Sequence, residues 1–293
     1  MIERVGVIGA GVMGMGIAAS ALRGGFQVTI RDTDPVREDL ARAGGLRVAA
    51  SPAELAGLCE AIAIVVVDAA QIDAVYRGPS GLLAALAPHH LILLCSTISP
   101  VDSARLAADI AATGAAVLDA PISGGPARAL AGTMSMMLAG DAQALARAEP
   151  LLQAIAGRRF VIGPQPGDAA KAKLVNNLMA GIHLMAGAEA IALAERLGLD
   201  PAQMTELISA SSGQSWIFDD RMPRALAGDF APRAQAHVLT KDVRLVNEAA
   251  AAAGLELPLG ALVRDLLQAT CDGGWRTEDD AAALLFYRQR FAG

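Results

Sequence analysis

The chain has 293 residues, 24 basic against 30 acidic side chains, a formal charge of −6, and 54 % apolar residues. This length predicts about two domains with a sizeable core, and the acidic balance, without a basic stripe or aromatic platform, argues against nucleic acid as a partner. Three widely spaced cysteines, Cys59, Cys95 and Cys271, read as buried thiols of a reducing compartment, so neither a disulfide framework nor a metal site is expected.

The first predicted strand, Arg4-Val5-Gly6-Val7-Ile8, begins so near Met1 that no signal peptide fits before it, and a cytoplasmic protein is expected. It runs into Gly9-Ala10-Gly11-Val12-Met13-Gly14 and then an apolar helix from Met15 to Leu22. A lone Gly-x-Gly-x-x-Gly is weak, but between a strand and a helix it is a dinucleotide fingerprint. Gly9 allows the tight turn, Gly11 lets a pyrophosphate approach the backbone, and Gly14 lets the helix pack on the strand. The unpaired amides of the helix start then face the phosphates. Cofactor contacts are therefore assigned to Gly9, Ala10, Gly11, Val12, Met13 and Gly14.

Further β-branched runs alternate with Ala-rich stretches. Strands are expected at Gln27 to Arg31, Arg47 to Ala49, Ala61 to Val67, Leu91 to Cys95, Ala116 to Leu118, Thr133 to Leu138 and Arg159 to Ile162. The pattern predicts an α/β fold with an N-terminal Rossmann-like, doubly wound parallel sheet. Asp32 closes the second strand, 18 residues after Gly14, where a carboxylate accepts ribose hydroxyls and repels a 2′-phosphate. NAD is favoured over NADP, with Arg31 the complicating cation.

After Gly163 the strands stop. One long helical pattern covers about 168–197, with Gly198 as its C-cap, and Asp200-Pro201 restarts a helix. Later helices are expected at Ser215 to Ala227, Gln235 to Ala253, Leu259 to Cys271 and Glu278 to Phe291, the last with a Thr277/Asp280 capping arrangement. The expected domains are residues 1–163, binding NAD, and residues 164–293, an all-α substrate and oligomerisation domain joined by the long helix. Its most apolar stretch, Leu178 to Ala194, carries His183 and Glu189 and falls short of a clean membrane span. His89-His90 is expected in a surface turn and His237 along a cleft, neither catalytic.

Two segments carry candidate chemistry. The loop Asp119-Ala120-Pro121-Ile122-Ser123-Gly124-Gly125-Pro126 leaves the C-terminal end of a strand, where open α/β sheets bind ligands. Ser123 and the amides of Gly124 and Gly125 suit a carboxylate, although an isolated Ser-Gly-Gly is usually only a turn. At the start of the long helix, Lys173 and Asn177 are four apart and share a face, while Lys171 points elsewhere. An ammonium and an amide beside a nicotinamide suit proton exchange with the oxygen on the carbon that exchanges hydride. For Lys173 to act as a base near neutral pH, its ammonium must be destabilised by about 4 kcal/mol. The helix N-terminus contributes only about 0.3–1 kcal/mol, at most about 2. Desolvation in a closed cleft must supply the rest.

Five ordered motifs then resemble the β-hydroxyacid dehydrogenase family over essentially the whole chain. They are Gly9-x-Gly11-x-Met13-Gly14, Cys95-Ser96-Thr97-Ile98-Ser99-Pro100, Asp119-x-Pro121-x-Ser123-Gly124-Gly125 with Ala129 and Gly132-Thr133, Lys173-x-x-Asn176-Asn177, and Lys241-Asp242. The family includes 3-hydroxyisobutyrate dehydrogenase, tartronate semialdehyde reductase and L-threonate dehydrogenase. The resemblance implies an NAD-dependent oxidoreductase acting on the CH–OH group of a small 3-hydroxy carboxylic acid. It implies Lys173 as general acid/base, Asn177 and Asn176 as substrate-orienting residues, and the Ser123 to Gly125 loop as carboxylate holder. It also places Val66, Val67, Gln71, Thr97 and Lys241 near the cofactor. The segment Gly213 to Phe218 is similar to the threonate-type branch, with Trp216 and Phe218 walling the substrate site. Two departures stand out: Ala169 replaces a usual glycine, and Val67-Asp68 replaces a Leu-Pro turn. The competing expectations are a catalytically silent nucleotide-binding or interaction protein and an imine-reducing relative, which should lack a lysine at position 173. The apolar helices after Leu197 predict a homo-oligomer, dimer or tetramer; no membrane partner is expected.

Overall fold

The computed structural model describes residues 2–78 and 80–292; Met1, Pro79 and Gly293, which include both outer ends of the expected domains, lie outside the described residues. The chain divides into two compact units, one through Lys173 and one from Leu174.

The first unit alternates strands and helices: β1 (Arg4–Ile8), α1 (Val12–Arg23), β2 (Gln27–Arg31), α2 (Pro35–Ala43), β3 (Arg47–Val48), α3 (Pro52–Leu58), β4 (Ala61–Ile64), α4 (Ala69–Arg77), β5 (Leu91–Leu94), α5 (Pro100–Ala111) and β6 (Ala116–Asp119). Then follow β7 (Ile122–Ser123), α6 (Gly125–Ala131), β8 (Met134–Gly140), α7 (Ala142–Ile155), β9 (Ala156–Gly163) and the start of α8 (Asp168–Arg196). Side chains cap most of these helices. Asp34, Ser51, Asp68, Ser99 and Asp141 each accept an amide of the turn that follows, satisfying donors the helix itself leaves open.

The described strands form one sheet. Six are parallel in the order β3-β2-β1-β4-β5-β6; β8 runs antiparallel to β6 and β7 and parallel to β9. The order reverses between β1 and β4, so ligands belong at the carboxyl ends of these strands. Their residues alternate between two cores. Ala61, Ala63, Leu91 and Leu93 pack on one face with α1 and α7 residues, and Ile62, Ile64, Ile92 and Leu94 on the other. Helices cover both faces, which is why the strands read as continuous apolar runs.

The structure corrects several expected elements. β4 stops at Ile64 instead of Val67: the Val65 amide still reaches the Ile8 carbonyl at 2.8 Å, but the next two leave the ladder, Val66 donating to Ser96 Oγ at 3.1 Å and Val67 to Gln71 Oε1 at 2.9 Å. The two-residue β7 is too short to leave a periodic signal. His90 is no surface residue. It is 1 % exposed, accepts the Ala87 amide on Nδ1 at 2.8 Å and donates from Nε2 to the Ala56 carbonyl at 3.0 Å.

The second unit is helical. After α8 come α9 (Pro201–Ser209), α10 (Trp216–Leu226), α11 (Ala236–Ala252), α12 (Pro258–Thr270), a π-helical turn at Cys271–Trp275, a 3-10 turn at Asp280–Ala282, and α13 (Ala283–Ala292). By length and composition α8 could cross a membrane, but half of its apolar window is buried. Its Leu184, Met185, Ala188 and Ile191 form this unit's core with Phe218, Val243, Leu267 and Tyr287. Close helix packing needs Gly181 and Gly187, where a Cβ would stand 2.8 Å from Val243 and 2.7 Å from Phe218. The last expected helix is divided, and Asp279 caps it instead of Thr277. That buried carboxylate accepts the amides of Arg233, Ala234 and Ala281 at 2.9, 3.1 and 3.2 Å. Beside it, the Arg221 guanidinium pairs with Asp280 at 2.5 Å.

Candidate active site

The turn after β1 is built for close approach. Gly9 has φ +98°, and a Cβ there would meet the Val65 carbonyl oxygen at 2.3 Å. At Gly14 a Cβ would stand 1.8 Å from the Gly9 carbonyl oxygen, so only glycine allows α1 to start so near β1. Gly11 is different: the nearest atom to a Cβ there is an Arg37 nitrogen at 3.7 Å, leaving its outer side open. No side chain caps α1, and its first turn carries no acid. Open space at Gly11 and an uncapped helix start fit the pyrophosphate of a dinucleotide. Ala10 lies in the same turn, and Val12 and Met13 are the first two residues of α1.

Asp32 is buried at the end of β2. Its Oδ2 accepts the Ala10 amide at 2.6 Å and its Oδ1 the Asp34 amide at 2.9 Å. The carboxylate therefore braces the glycine turn and still has lone pairs for hydroxyl donors. Arg31 turns to Glu38 and the Asp32 carbonyl. The cation beside the Asp32 carboxylate is instead Arg37, 51 % exposed, at 3.6 Å from Oδ2. In the sequence Arg37 is marked only by its place in the first turn of α2, three residues after the Asp34 cap.

The loops after β4 and β5 are tied together. Ser96 Oγ receives the Val66 amide, Gln71 holds Val67, and Asp68 caps α4 by accepting the Gln71 amide at 2.8 Å. The Val67-Asp68 departure thus supplies a helix cap of its own. Thr97 follows Ser96 in the loop after β5. Past β7, Gly124 and Gly125 have φ +125° and +73°, and α6 starts on them without a side-chain cap. Ser123, in β7, pairs with Ser135 of β8. This turn is joined to the cofactor helix, since α1 approaches α6 so closely that a Cβ at Gly16 would stand 2.7 Å from that of Ala129.

Asp119 closes β6 and accepts the amides of Gly167 and Ala170 at the start of α8, at 2.8 and 2.9 Å. Burial pushes its carboxyl up, while the amides of Ala170, Gly167 and Ala169 and the Ser103 hydroxyl oppose that. Ala169 is fully buried against Met137 and Ala139, so the second departure fills a small apolar contact. Lys173 follows on the same helix and is 7 % exposed; Lys171 is exposed and pairs with Asp168 at 2.8 Å.

In the second unit a polar chain runs through four side chains. Asn176 Nδ2 donates to Asn177 Oδ1 at 3.1 Å, Asn177 Nδ2 donates to Asp242 Oδ2 at 2.7 Å, and Lys241 Nζ stands 2.9 Å from Asp242 Oδ1. Asp242 has no assigned role in the sequence beyond its place in a motif, yet it sets the Asn177 amide. Trp216 begins α10 and is partly exposed, whereas Phe218 is 2 % exposed and packs on Gly187 in the core. His237 bonds to the Arg276 carbonyl at 3.1 Å.

Residues 4–163 match the family described as the NAD binding domain of 6-phosphogluconate dehydrogenase. Residues 167–287 match the family described as the NAD-binding domain of NADP-dependent 3-hydroxyisobutyrate dehydrogenase. An L-threonate dehydrogenase of Cupriavidus necator is 40 % identical over 98 % of this chain and 97 % of its own. A 3-hydroxyisobutyrate dehydrogenase of Pseudomonas aeruginosa is 35 % identical over 97 % and 98 %. A crystal structure described as 3-hydroxyisobutyrate dehydrogenase from Salmonella typhimurium has a TM-score of 0.91 at 36 % identity, covering 96 % of this chain and 99 % of that one. Solved imine reductases share the fold at 24 %, 20 % and 16 % identity, a likeness of fold alone. With the Rossmann-like sheet, the glycine turn and the helical second unit, these matches establish the chain as a member of the β-hydroxyacid dehydrogenase family, an NAD(P)-dependent oxidoreductase acting on the CH–OH group of a small hydroxy acid.

Proposed function

We propose that the chain is an NAD-linked dehydrogenase of a short polyhydroxy or 3-hydroxy carboxylate of the L-threonate type, with Lys173 as its general acid/base. The observation that carries this reading is an amine on the first turns of α8 that is 7 % exposed: lysine is rarely that buried, and desolvation there favours the neutral amine that a general base needs. The likeness to L-threonate dehydrogenase over nearly the whole chain supports the substrate class. A bound nicotinamide would supply the acceptor for the hydride that leaves the alcohol carbon. Lys173, as the free amine, takes the hydroxyl proton as the C=O bond forms; as ammonium it returns that proton in reduction. Asn177, its amide set by Asp242, orients the substrate with Asn176. The Ser123 to Gly125 turn, with two left-handed glycines, holds the carboxylate through its amides. Asp32 favours the unphosphorylated ribose, hence NAD, and Val66, Val67, Gln71, Thr97 and Lys241 are assigned to the cofactor. Trp216 is assigned to the substrate wall.

Initial rates of NAD and NADP reduction with L-threonate, 3-hydroxyisobutyrate, glycerate, L-serine and 3-hydroxypropionate test the reading. Turnover of L-threonate with NAD above the other pairs is expected. Oxidation of none of them overturns the substrate class, and wild-type turnover by Lys173→Ala overturns the proton-transfer role. A silent nucleotide-binding protein would bind NADH and oxidise nothing. Exposed Leu193, Leu197, Leu199, Leu207, Leu259 and Leu262 of the second unit support a homo-oligomer, for which light scattering should give a mass of two or four chains. A cytoplasmic site of action is part of the same reading.

A further inference from the structure

The start of α8 is held from far away in sequence. Gly167, just before the helix, has no side chain with which to cap it, and the Asp168 amide goes to the Gln165 carbonyl at 3.1 Å. The Gly167 and Ala170 amides instead converge on one oxygen of Asp119, at 2.8 and 2.9 Å. Asp119 is itself fixed on both sides, paired with Leu94 of β5 and Ala139 of β8. The approach is also closed from α5: Gly167 has φ +100°, and a Cβ there would stand 2.9 Å from the Pro100 carbonyl oxygen. A carboxylate on a paired strand end thus does for α8 what Asp34 or Ser99 does for the helix next to it.

We infer that Asp119 is the positioning residue for Lys173, clamping the first turn of α8 to the sheet so that the amine three residues later has one place. This rests on the assignment of Lys173 to proton transfer. Asp119 belongs to the same motif as Ser123, but its Oδ2 is occupied by backbone amides and the residue is 1 % exposed, so a direct hand on substrate is not its task. Two amides on one carboxyl oxygen pin the turn at two points. Lys173 is about 4.5 Å of helix rise beyond Ala170, so movement of the first turn carries it directly. A displacement of about 1 Å at a reacting group costs on the order of 100-fold in rate.

The test is a double-mutant cycle on the full chain, using the best substrate of the panel. Asp119→Ala should lower kcat by about 10- to 100-fold, with the NADH dissociation constant, read by fluorescence, within about twofold of wild type. Asp119→Asn, which keeps one acceptor, should recover part of the loss. In the Lys173→Ala background the same substitutions should cost less than about twofold, because residues acting through one group are not additive. Equal losses in both backgrounds overturn the inference in favour of general structural damage, and no loss in the wild-type background overturns it outright. If Asp119→Ala does not fold, Asp119→Asn carries the cycle. Lys173→Ala turning over at the wild-type rate is a separate outcome, which removes the parent assignment and this inference with it.

Discussion

The Asn177 side-chain amide donates to the buried Asp242 carboxylate at 2.7 Å, and Lys241 faces the other oxygen at 2.9 Å. An ionised carboxylate only accepts, so this contact dictates which end of the Asn177 amide faces it. Asp242→Leu should cost about 1–3 kcal/mol of stability by leaving that donor unmet, measured by urea denaturation. Asp242→Asn should fold well yet lose about tenfold in kcat/KM, because an amide can meet Asn177 in either orientation. Unchanged kinetics in Asp242→Asn would sink the idea that Asp242 orients Asn177.

The glycines of the cofactor turn should separate folding from binding. Gly14→Ala forces a methyl to 1.8 Å from the Gly9 carbonyl oxygen and should cost about 3 kcal/mol or more. Gly11→Ala meets nothing nearer than 3.7 Å, so its stability should fall by about 1 kcal/mol or less. The methyl then occupies the open side of the turn, and NADH titration should show affinity weakened by at least about tenfold.

Cofactor preference should respond to two residues. Asp32→Ser removes the carboxylate that repels a 2′-phosphate and should move the NADP/NAD ratio of kcat/KM toward NADP by about tenfold or more. Arg37→Gln removes the exposed cation 3.6 Å from Asp32 and should weaken NADPH binding while leaving NADH binding within about twofold. Titration of both reduced cofactors against both variants measures this directly, and NADPH affinity insensitive to Arg37 is the contrary result.

His90 should make stability fall on the acid side. Burial holds its imidazole below the ordinary range, aided by the nearby His89 and Arg147, while its bond to the Ala56 carbonyl opposes the shift. Because the folded value is depressed, its stabilisation is present above the unfolded value near 6.5 and is lost as pH falls from there through the lower folded value, while the unfolded chain takes up a proton that the folded ring refuses. His90→Gln should be less stable at pH 8, having lost the ring's two hydrogen bonds. Between about pH 7 and 5 its unfolding free energy should decline less steeply than wild type, by up to about 1.4 kcal/mol per pH unit. Parallel curves for the two proteins would exclude this role.

The Arg221–Asp280 pair should behave as a buried ion pair broken from one side. Burial pushes Asp280 up to about 6 against the pull of Arg221, so the carboxylate stays ionised at neutral pH chiefly through that guanidinium. Asp280→Ala leaves Arg221 buried with only the partly exposed Asp220, which it already contacts, as a close partner, and should cost about 3 kcal/mol, since Asp279 is 3.9 Å away and already holds Arg224 at 3.1 Å. Thermal unfolding checks this, and a loss below about 1 kcal/mol would show that Asp279 and Asp220 replace the partner.

Local chemistry made much of this protein legible. Gly9, Gly11 and Gly14 announce the dinucleotide turn because glycine alone tolerates the required backbone. The alternation of β-branched runs with Ala-rich stretches gave away the Rossmann-like sheet because each element is written in its own period, and the spacing of Lys173 and Asn177 followed from a helix of known pitch. Tertiary structure alone decided which distant polar groups satisfy one another. Asp119 reaches amides 48 and 51 residues away, Asn177 meets a carboxylate 65 residues on, and His90 bridges to Ala56. Phe218, expected in the substrate wall, packs into the core of the second unit over the gap at Gly187. None of these pairings has a sequence period, because a buried donor is matched by whichever acceptor the fold brings within about 3 Å.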